Sequence, residues 1–164
     1  MNDNTTISEI YAETTSEKAK FWGYMGIASA LCFANIGASY GTAVSGVGIL
    51  EMGINHPDKV IKAVIPVIMA GILGIYGLIV AVILNQNMKS DYDTYRGWKH
   101  LCSGMCAGLS SLAAGISIGV AGNAGARALG KQDRIFVGMM LILIFAEALG
   151  LYGLIISLIL ASKS

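Results

Sequence analysis

Residues 144–160 read IFAEALGLYGLIISLIL, and residues 68–84 read IMAGILGIYGLIVAVIL. Ten of these 17 positions are identical at an offset of 76 residues. Both stretches are apolar and close to the length of about 20 residues that a membrane-spanning helix needs. The second copy has Glu147 where the first has Gly71, so one repeat alone carries an ionisable group. The two stretches therefore predict a membrane protein built by duplication of a helical unit.

The composition of the whole chain agrees with this interpretation. The 164 residues are 55% hydrophobic and 13% charged, with a mean hydropathy of +0.66. A soluble domain is roughly 25% charged. Apolar stretches predict four spanning helices, at residues 21–50, 60–84, 98–126 and 135–160. The first would be about 45 Å long at the rise of an α-helix, so it either projects beyond the bilayer or tilts. Pro66 falls inside the second span and is expected to kink it.

The predicted spans divide the chain into four parts. These are a polar N-terminal tail in water (1–20), a first helical hairpin (21–84), a connecting loop (85–97) and a second hairpin (98–160) that carries Glu147. Short loops make neighbouring helices antiparallel, which places both termini on one side of the membrane. The Lys and Arg residues are nearly balanced between the two sides, so the charges do not predict which side is cytoplasmic.

Small residues recur every four positions in the first and third predicted helices. Gly37 and Gly41 lie in the first helix, and Gly115 and Gly119 lie in the third. Such spacing lets helix backbones approach closely in lipid. The second and fourth helices carry bulky aliphatic residues instead. This contrast favours an oligomer with the small-faced helices inside and the bulky ones facing lipid, although a compact four-helix monomer remains the alternative.

Glu147 is the residue most clearly suited to a function. It is the thirteenth of 26 residues in the last predicted span, at a depth where a charge costs from a few to more than ten kcal/mol. A carboxyl group there is neutral in lipid and releases its proton where water or a positive group reaches it. The alternative is a protonated side chain making one interhelical hydrogen bond. Protons are favoured over sodium, because few oxygen ligands surround Glu147.

Tyr76 is the predicted hydrogen-bond partner of Glu147. If the hairpins stack in register, Gly71 lies at the depth of Glu147, and Tyr76 is about 7.5 Å further along its helix. The phenol and the carboxyl side chain together can bridge much of that distance. The alternative is an amphipathic ring that simply packs in the bundle. Tyr152, the counterpart of Tyr76 in the repeat, is expected to be structural.

Other classes of function find little support in the sequence. The net charge is +1, and there is no basic stripe of the kind that binds nucleic acid. The three cysteines lie in apolar segments and are interpreted as packing residues: Cys32, Cys102 and Cys106. We predict no metal site, no cofactor and no catalytic residue. No glycine-rich phosphate loop of the Walker type is present.

Each of the four predicted helices contains a distinctive stretch: GASYGTAVSGVGI at 37–49, IPVIMAGI at 65–72 with IYGL at 75–78, LAAG at 112–115 with the following residues to Gly125, and FAEALGLYG at 145–153. Taken together, these stretches resemble the proteolipid, or c, subunit of the vacuolar-type proton-pumping ATPase. The resemblance covers residues 21–160. Any one glycine run alone would be weak evidence for this resemblance, but the stretches taken together are specific to the family.

The resemblance implies a rotating ring of such subunits in a vacuolar or other acidic endomembrane. Glu147 would take a proton from one half-channel of a neighbouring stator a-type subunit and release it to another. That stator would supply an essential Arg, and a central-stalk subunit would be a further partner. ATP hydrolysis would occur on other subunits, so this chain would not be an enzyme by itself.

Two positions depart from the pattern of this family. Val44 stands where a Lys is expected, and Asn123 stands where an Asp is expected. Both positions are at the edge of the membrane or in a cavity, so local hydration or partner contacts differ while proton carriage by Glu147 is unaffected. Two rival functions remain open on the sequence: a small proton-coupled secondary transporter, and a structural pore in which Glu147 is incidental.

Overall fold

The structure is a computed structural model that describes residues 3–88 and 92–162, with side chains from Thr14 onward. Its four long α-helices are α1 (Asp3–Asn55), α3 (Ile65–Gln86), α4 (Thr94–Lys131) and α5 (Ile135–Ser162). A 3₁₀ turn (Pro57–Lys59) and the one-turn helix α2 (Val60–Ala63) connect α1 to α3. Four helical segments are long and apolar enough to cross a membrane. The predicted all-α membrane fold is therefore confirmed.

The first helix is much longer than the predicted span of residues 21–50. It contains 53 residues, which corresponds to about 80 Å of helix. Residues 3–20, expected as a polar tail, are helical and continuous with the span. No Gly or Pro occurs among them to end the helix. The amino-terminal part of α1 therefore projects from the apolar part of the bundle.

The second span is divided near its start: the apolar segment runs from Pro57 to Gln86, and its first α-helical turn, α2, begins at Val60 as predicted. Val64 separates α2 from α3 although its backbone stays in the right-handed helical region, and α3 starts at Ile65 with Pro66 in its first turn. Proline lacks a backbone N–H and is tolerated in the first turn, where no intrahelical partner is required. Pro66 therefore lies in the first turn of the long helix, and the span is interrupted just before it, close to where the kink was expected.

Helices α1 and α4 form the most extensive contact in the molecule, and they run parallel. Gly37 of α1 lies against the backbone of α4: a Cβ atom at that position would be 2.6 Å from Leu112 Cα and 2.7 Å from the Ser111 carbonyl oxygen. A Cβ on Gly104 or Gly115 would overlap the α1 backbone at Gly26 or Gly37. The two helices therefore touch backbone to backbone.

The bulkier helices surround this central pair. Helix α3 packs mainly on α1, helix α5 packs mainly on α4, and α3 and α5 meet along a narrower seam. Leu73 of α3 and Leu143 of α5 belong to one buried cluster with Ala114 and Ile118 of α4. A buried hydroxyl pair joins α4 to α5, in which Ser103 Oγ lies 2.8 Å from both the carbonyl oxygen and the Oγ of Ser157.

Polar and aromatic contacts close the end of the bundle near residue 92. The Tyr92 hydroxyl lies 2.5 Å from Nδ1 of His100, which is 1% exposed. Burial raises the pKa of Tyr92 to about 12. The rings of Trp22 and Trp98 stack with their centroids 4.5 Å apart. The stacked Trp rings join the start of α4 to α1, and the Tyr92–His100 contact holds the preceding loop on α4.

Candidate functional site

The candidate site lies where α3 and α5 meet. Glu147 is half-buried in the middle of α5, between the buried Ala146 and the outward-facing side of the helix. Its neighbour Phe145 is 73% exposed in the single chain. The carboxyl group is therefore close to the surface that faces lipid or a neighbouring protein, and it is not sealed inside the bundle.

Tyr76 and Glu147 are brought together by the fold. The Tyr76 hydroxyl donates a hydrogen bond to Glu147 Oε1 at a distance of 3.1 Å. Tyr76 also packs against the buried cluster that contains Leu73 and Ala146. The phenol therefore has an apolar body held between the helices and a polar tip directed at the carboxyl group.

Glycine allows the approach of α3 to α5 at this point. Gly150 lies about one helical turn beyond Glu147, and a Cβ atom there would be 2.7 Å from Leu73 Cδ2 and 3.8 Å from Tyr76 Cδ2. A side chain at position 150 would push Leu73 away, while its distance to the tyrosine ring would be that of ordinary van der Waals contact. Gly150 thus lets Leu73 of α3 lie close to α5 beside the Glu147 site.

The first hairpin has no equivalent acidic group. Gly71, the counterpart of Glu147, is exposed, and nothing would meet a Cβ atom there within 4 Å. Tyr152, the counterpart of Tyr76, is 62% exposed on the outer side of α5. In the described part of the chain, the duplicated fold therefore carries one carboxyl–phenol pair.

The four glycines predicted to mediate packing all lie at the contact between α1 and α4. Gly37 faces Ser111 and Leu112, while a Cβ on Gly41 would be 2.8 Å from the Gly115 carbonyl oxygen. A Cβ on Gly119 would be 3.1 Å from Gly41 Cα. Gly37 lies beside Gly115, and Gly41 lies beside Gly119. Residues of the two parallel helices at the same height therefore differ by 78 in number.

Sequence reasoning missed one amide in the middle of the first span. Asn35 is exposed on α1, and its Oδ1 atom lies 2.9 Å from the position that a Cβ on Gly74 would occupy. The sequence did contain a signal for this residue, because Asn35 is an amide in a predicted span of otherwise apolar and small residues. A polar side chain is expensive when it faces lipid, so this position is expected to be covered by protein or reached by water.

The two departures from the family pattern lie near one another. Val44 and Asn123 line a cavity of about 350 Å³ together with Val120, Ala124 and Arg127. Asn123 Oδ1 is buried and has no hydrogen-bond partner among the described residues. A neutral valine and a neutral amide therefore occupy the place where the resemblance implied two opposite charges.

Ion pairs join the loops at the end opposite Tyr92. Lys59 Nζ lies 2.9 Å from Asp133 Oδ1 and also donates to the carbonyl oxygens of Leu129 and Gly130 at 3.3 Å. The hydrogen bond and the positive charge of Lys59 hold the pKa of Asp133 below its usual range. Arg127 pairs with Glu51 across α1 and α4 at 3.0 Å.

Candidate metal ligands do not cluster in the part of the chain that the structure covers. No group of three or more His, Cys, Asp or Glu side chains is placed there to hold a metal ion. Cys32, Cys102 and Cys106 are free thiols, and the Cys106 thiol lies 3.9 Å from the Gly153 carbonyl oxygen at the α4–α5 contact. The chemistry available at Glu147 is therefore that of one carboxyl group and one phenol.

Comparison with known proteins finds similarity over both hairpins. The family model for the C subunit of ATP synthase matches residues 25–84 and again residues 101–160, once for each hairpin. The V-type proton ATPase 16 kDa proteolipid subunit of Chrysotila carterae is 58% identical over 151 residues, covering 88% of this chain and 92% of that protein.

Two animal proteins show a similar degree of likeness. The V-type proton ATPase 16 kDa proteolipid subunit of Homo sapiens is 51% identical over 147 residues, covering 90% of this chain and 95% of the human protein. The second of the 16 kDa proteolipid subunits of Caenorhabditis elegans is 52% identical over 159 residues, covering 93% and 99% of the two chains. The likeness thus extends over both hairpins.

Proposed function

Because this chain belongs to the ATP synthase C-subunit family, among the V-type proteolipid subunits, we propose that it is a proton-carrying rotor subunit. Several copies would form a ring in the membrane of a vacuole or another acidic compartment. In each copy Glu147 would bind a proton, carry it as the ring turns, and release it. The chain itself would hydrolyse no ATP, since that reaction would take place on other subunits of the complex.

The position of Glu147 is the observation that supports this proposal most directly. The carboxyl group lies in the middle of α5, is half-buried, and has the exposed Phe145 beside it. A site at the rim of the bundle can meet lipid in one position of the ring and a hydrated partner in another. A carboxyl group deep inside the chain could not alternate between these two environments.

Coupling of rotation to proton flow follows from the cost of a bare charge in lipid. The carboxylate can persist only opposite water or a positive group, so a copy re-enters lipid after it has bound a proton. A stator a-type subunit with an Arg would supply the positive group, and two half-channels would supply and remove protons. A membrane potential of 100 mV changes the free energy of transfer by about 2.3 kcal/mol per proton.

Tyr76 would have a supporting role in this cycle. Its hydroxyl donates to Glu147 Oε1, so it orients the carboxyl group and offers a hydrogen bond when the proton has left. A hydrogen bond to a charged acceptor is worth about 1.5–3 kcal/mol, whereas a charge in lipid costs from a few to more than ten kcal/mol. Tyr76 would therefore adjust proton release without replacing the stator.

The test is to replace Glu147→Gln in complexes reconstituted into vesicles and to follow ATP-driven acidification. Glutamine has nearly the same shape and cannot ionise, so we expect the ring to assemble and proton pumping to be abolished. Glu51→Gln is a matched control, since Glu51 is an exposed carboxylate at the end of α1. Substantial acidification by the Glu147→Gln complex would contradict the proposal that Glu147 carries the protons.

A further inference from the structure

The side chain of Tyr92 fastens the segment between α3 and α4 to the end of the bundle. Tyr92 lies just before α4 and is 3% exposed. Its hydroxyl lies against α1, where a Cβ atom on Gly23 would be 2.6 Å from the phenol oxygen. The same hydroxyl lies 2.5 Å from Nδ1 of His100 in α4. We call the contact of Tyr92 with Gly23 and His100 the latch.

The second nitrogen of the His100 ring has no partner in the latch. His100 is 1% exposed, and its Nε2 atom is buried without a hydrogen-bond partner among the described residues. A neutral imidazole has one donor and one acceptor nitrogen, whereas both nitrogens of the protonated ring are donors. In either neutral form of the ring, a further proton would therefore bury a positive charge and leave a charged N–H at Nε2 with no acceptor.

The charged residues of the same helix do not balance a positive charge on His100. Arg96 precedes His100 by four residues, so the two side chains are neighbours on one face of α4, and like charges at this spacing repel. Lys99, the residue before His100, is also a cation. The acid at the start of the helix, Asp93, is exposed and accepts a hydrogen bond from the backbone N–H of Thr94. Seven residues, or about 10 Å of helical rise, separate this carboxylate from His100.

The described ends of the other helices supply no negative charge to this place. Residues 19–26 of α1, which pack on the start of α4, have Lys20 and the exposed Tyr24 as their titratable groups. Residues 84–88, at the end of α3, and residues 154–162, at the end of α5, contain no ionisable side chain. A positive charge on His100 would thus be buried without an ion-pair partner, which is unfavourable.

We propose that the latch is sensitive to protons: it is closed while His100 is neutral, and it opens when His100 binds a proton and its ring moves into water. In water an imidazole binds a proton at about pH 6.5. Because the open form binds the proton and the closed form resists it, the latch is stable above about pH 6.5 and weakens as the pH falls below that value. This device goes beyond the proposed rotor function, and it responds to the pH of the solution that bathes the Tyr92 end of the bundle.

Tryptophan fluorescence of the purified full-length chain in detergent tests this proposal. Trp22 and Trp98 are the two tryptophans of the chain, and their rings stack beside the latch. Opening of the latch should separate these rings and expose them to water. We expect the emission maximum to move by several nanometres to longer wavelength as the pH is lowered from about 7.5 to about 5, and to return on neutralisation. An emission maximum that stays constant over this range would overturn the proposal.

The two histidines of the chain provide a matched pair of variants. Glutamine at position 100 can accept a hydrogen bond from Tyr92 but binds no proton, so the emission of His100→Gln should not vary with pH, whatever its value at neutral pH. His56 is exposed at the opposite end of the bundle, and His56→Gln should respond to acid as the wild-type chain does. A full response in His100→Gln, or a lost response in His56→Gln, would overturn the proposal.

Blocking the place of the phenol gives an independent result. The methyl group of Gly23→Ala would be 2.6 Å from the Tyr92 oxygen, so Tyr92 cannot take its closed position. We expect this variant to show at neutral pH the emission maximum of the acidified wild-type chain, with unchanged helical content by circular dichroism. Gly46→Ala is the control, since nothing would lie within 4 Å of its methyl group. A Gly23→Ala variant with wild-type emission at neutral pH and a wild-type response to acid would overturn the proposal.

Discussion

At the scale of single residues, Tyr76 and Glu147 are 71 positions apart in the chain and share a hydrogen bond of 3.1 Å. The repeat offset of 76 predicted that the two side chains could meet if the hairpins stack in register. It could not indicate which way each side chain points. The direction of a side chain depends on how the helices pack, here on the meeting of α3 and α5, where Gly150 leaves room for Leu73.

The hydrogen bond gives a prediction for Tyr76→Phe. The carboxylate loses one donor worth about 1.5–3 kcal/mol, so proton release becomes less favourable while proton binding remains possible. We expect ATP-driven acidification to fall severalfold and to persist, in contrast to Glu147→Gln. The rate of acidification in vesicles measures the effect.

Tyr152→Phe is the control for this substitution, since Tyr152 occupies the equivalent repeat position and lies exposed on α5. Its removal should leave pumping unchanged. Equal effects of the two substitutions would show that Tyr76 acts through general packing and not through its bond to Glu147.

At the scale of helices, the central contact depends on backbone approach between α1 and α4. The four-residue spacing of small residues predicted which helices pack closely. The start of α1 at Asp3 was not predicted, because a polar segment without Gly or Pro can be helix or coil unless its surroundings are known. The hydrogen bonds between Ser103 and Ser157 were also missed, since two isolated serines carry no periodic signal.

Gly37→Ala tests the close approach of these helices. The new methyl group would meet Leu112 Cα at 2.6 Å, so one backbone must move, at a cost of about 1–3 kcal/mol. We expect a lower midpoint of thermal unfolding in detergent. Gly46→Ala lies in the same helix where nothing would be within 4 Å of the methyl group, and it should leave the midpoint unchanged or slightly higher.

Equal loss of stability in the two glycine variants would contradict the account of α1 and α4. It would mean that glycine matters for the flexibility of the helix and not for its contact with the neighbour.

The Lys59–Asp133 pair predicts how the connecting loops respond to acid. Lys59 holds the pKa of Asp133 below its ordinary value of 3.8, so the pair contributes at neutral pH and is lost only as the pH falls through that lowered value. We therefore expect amide exchange of residues 129–134, corrected for its intrinsic pH dependence, to be alike at pH 7 and pH 5. Lys59→Gln should increase exchange at both values, and Lys62→Gln should not.

A rise in exchange between pH 7 and pH 5 in the wild-type chain would show that another group controls the loops. So would a Lys59→Gln variant with unchanged exchange at both pH values.

At the scale of the whole molecule, the chain consists of two similar hairpins, and one of them carries a carboxyl group in the middle of its second helix. The two matches to the ATP synthase C-subunit family, at residues 25–84 and 101–160, follow the same division. Four spans and their order were readable from the apolar stretches, because each of them is bounded by charged loops.

The measurement that tests the central claim most directly is carbodiimide labelling of native membranes, with mass spectrometry to locate the adduct. A hydrophobic carbodiimide enters lipid and modifies protonated carboxyl groups. The account predicts an adduct at Glu147 alone, with pumping lost at far fewer than one label per chain, because one blocked copy stops a coupled ring. Labelling at other carboxyl groups, or complete labelling of Glu147 with pumping intact, would contradict it.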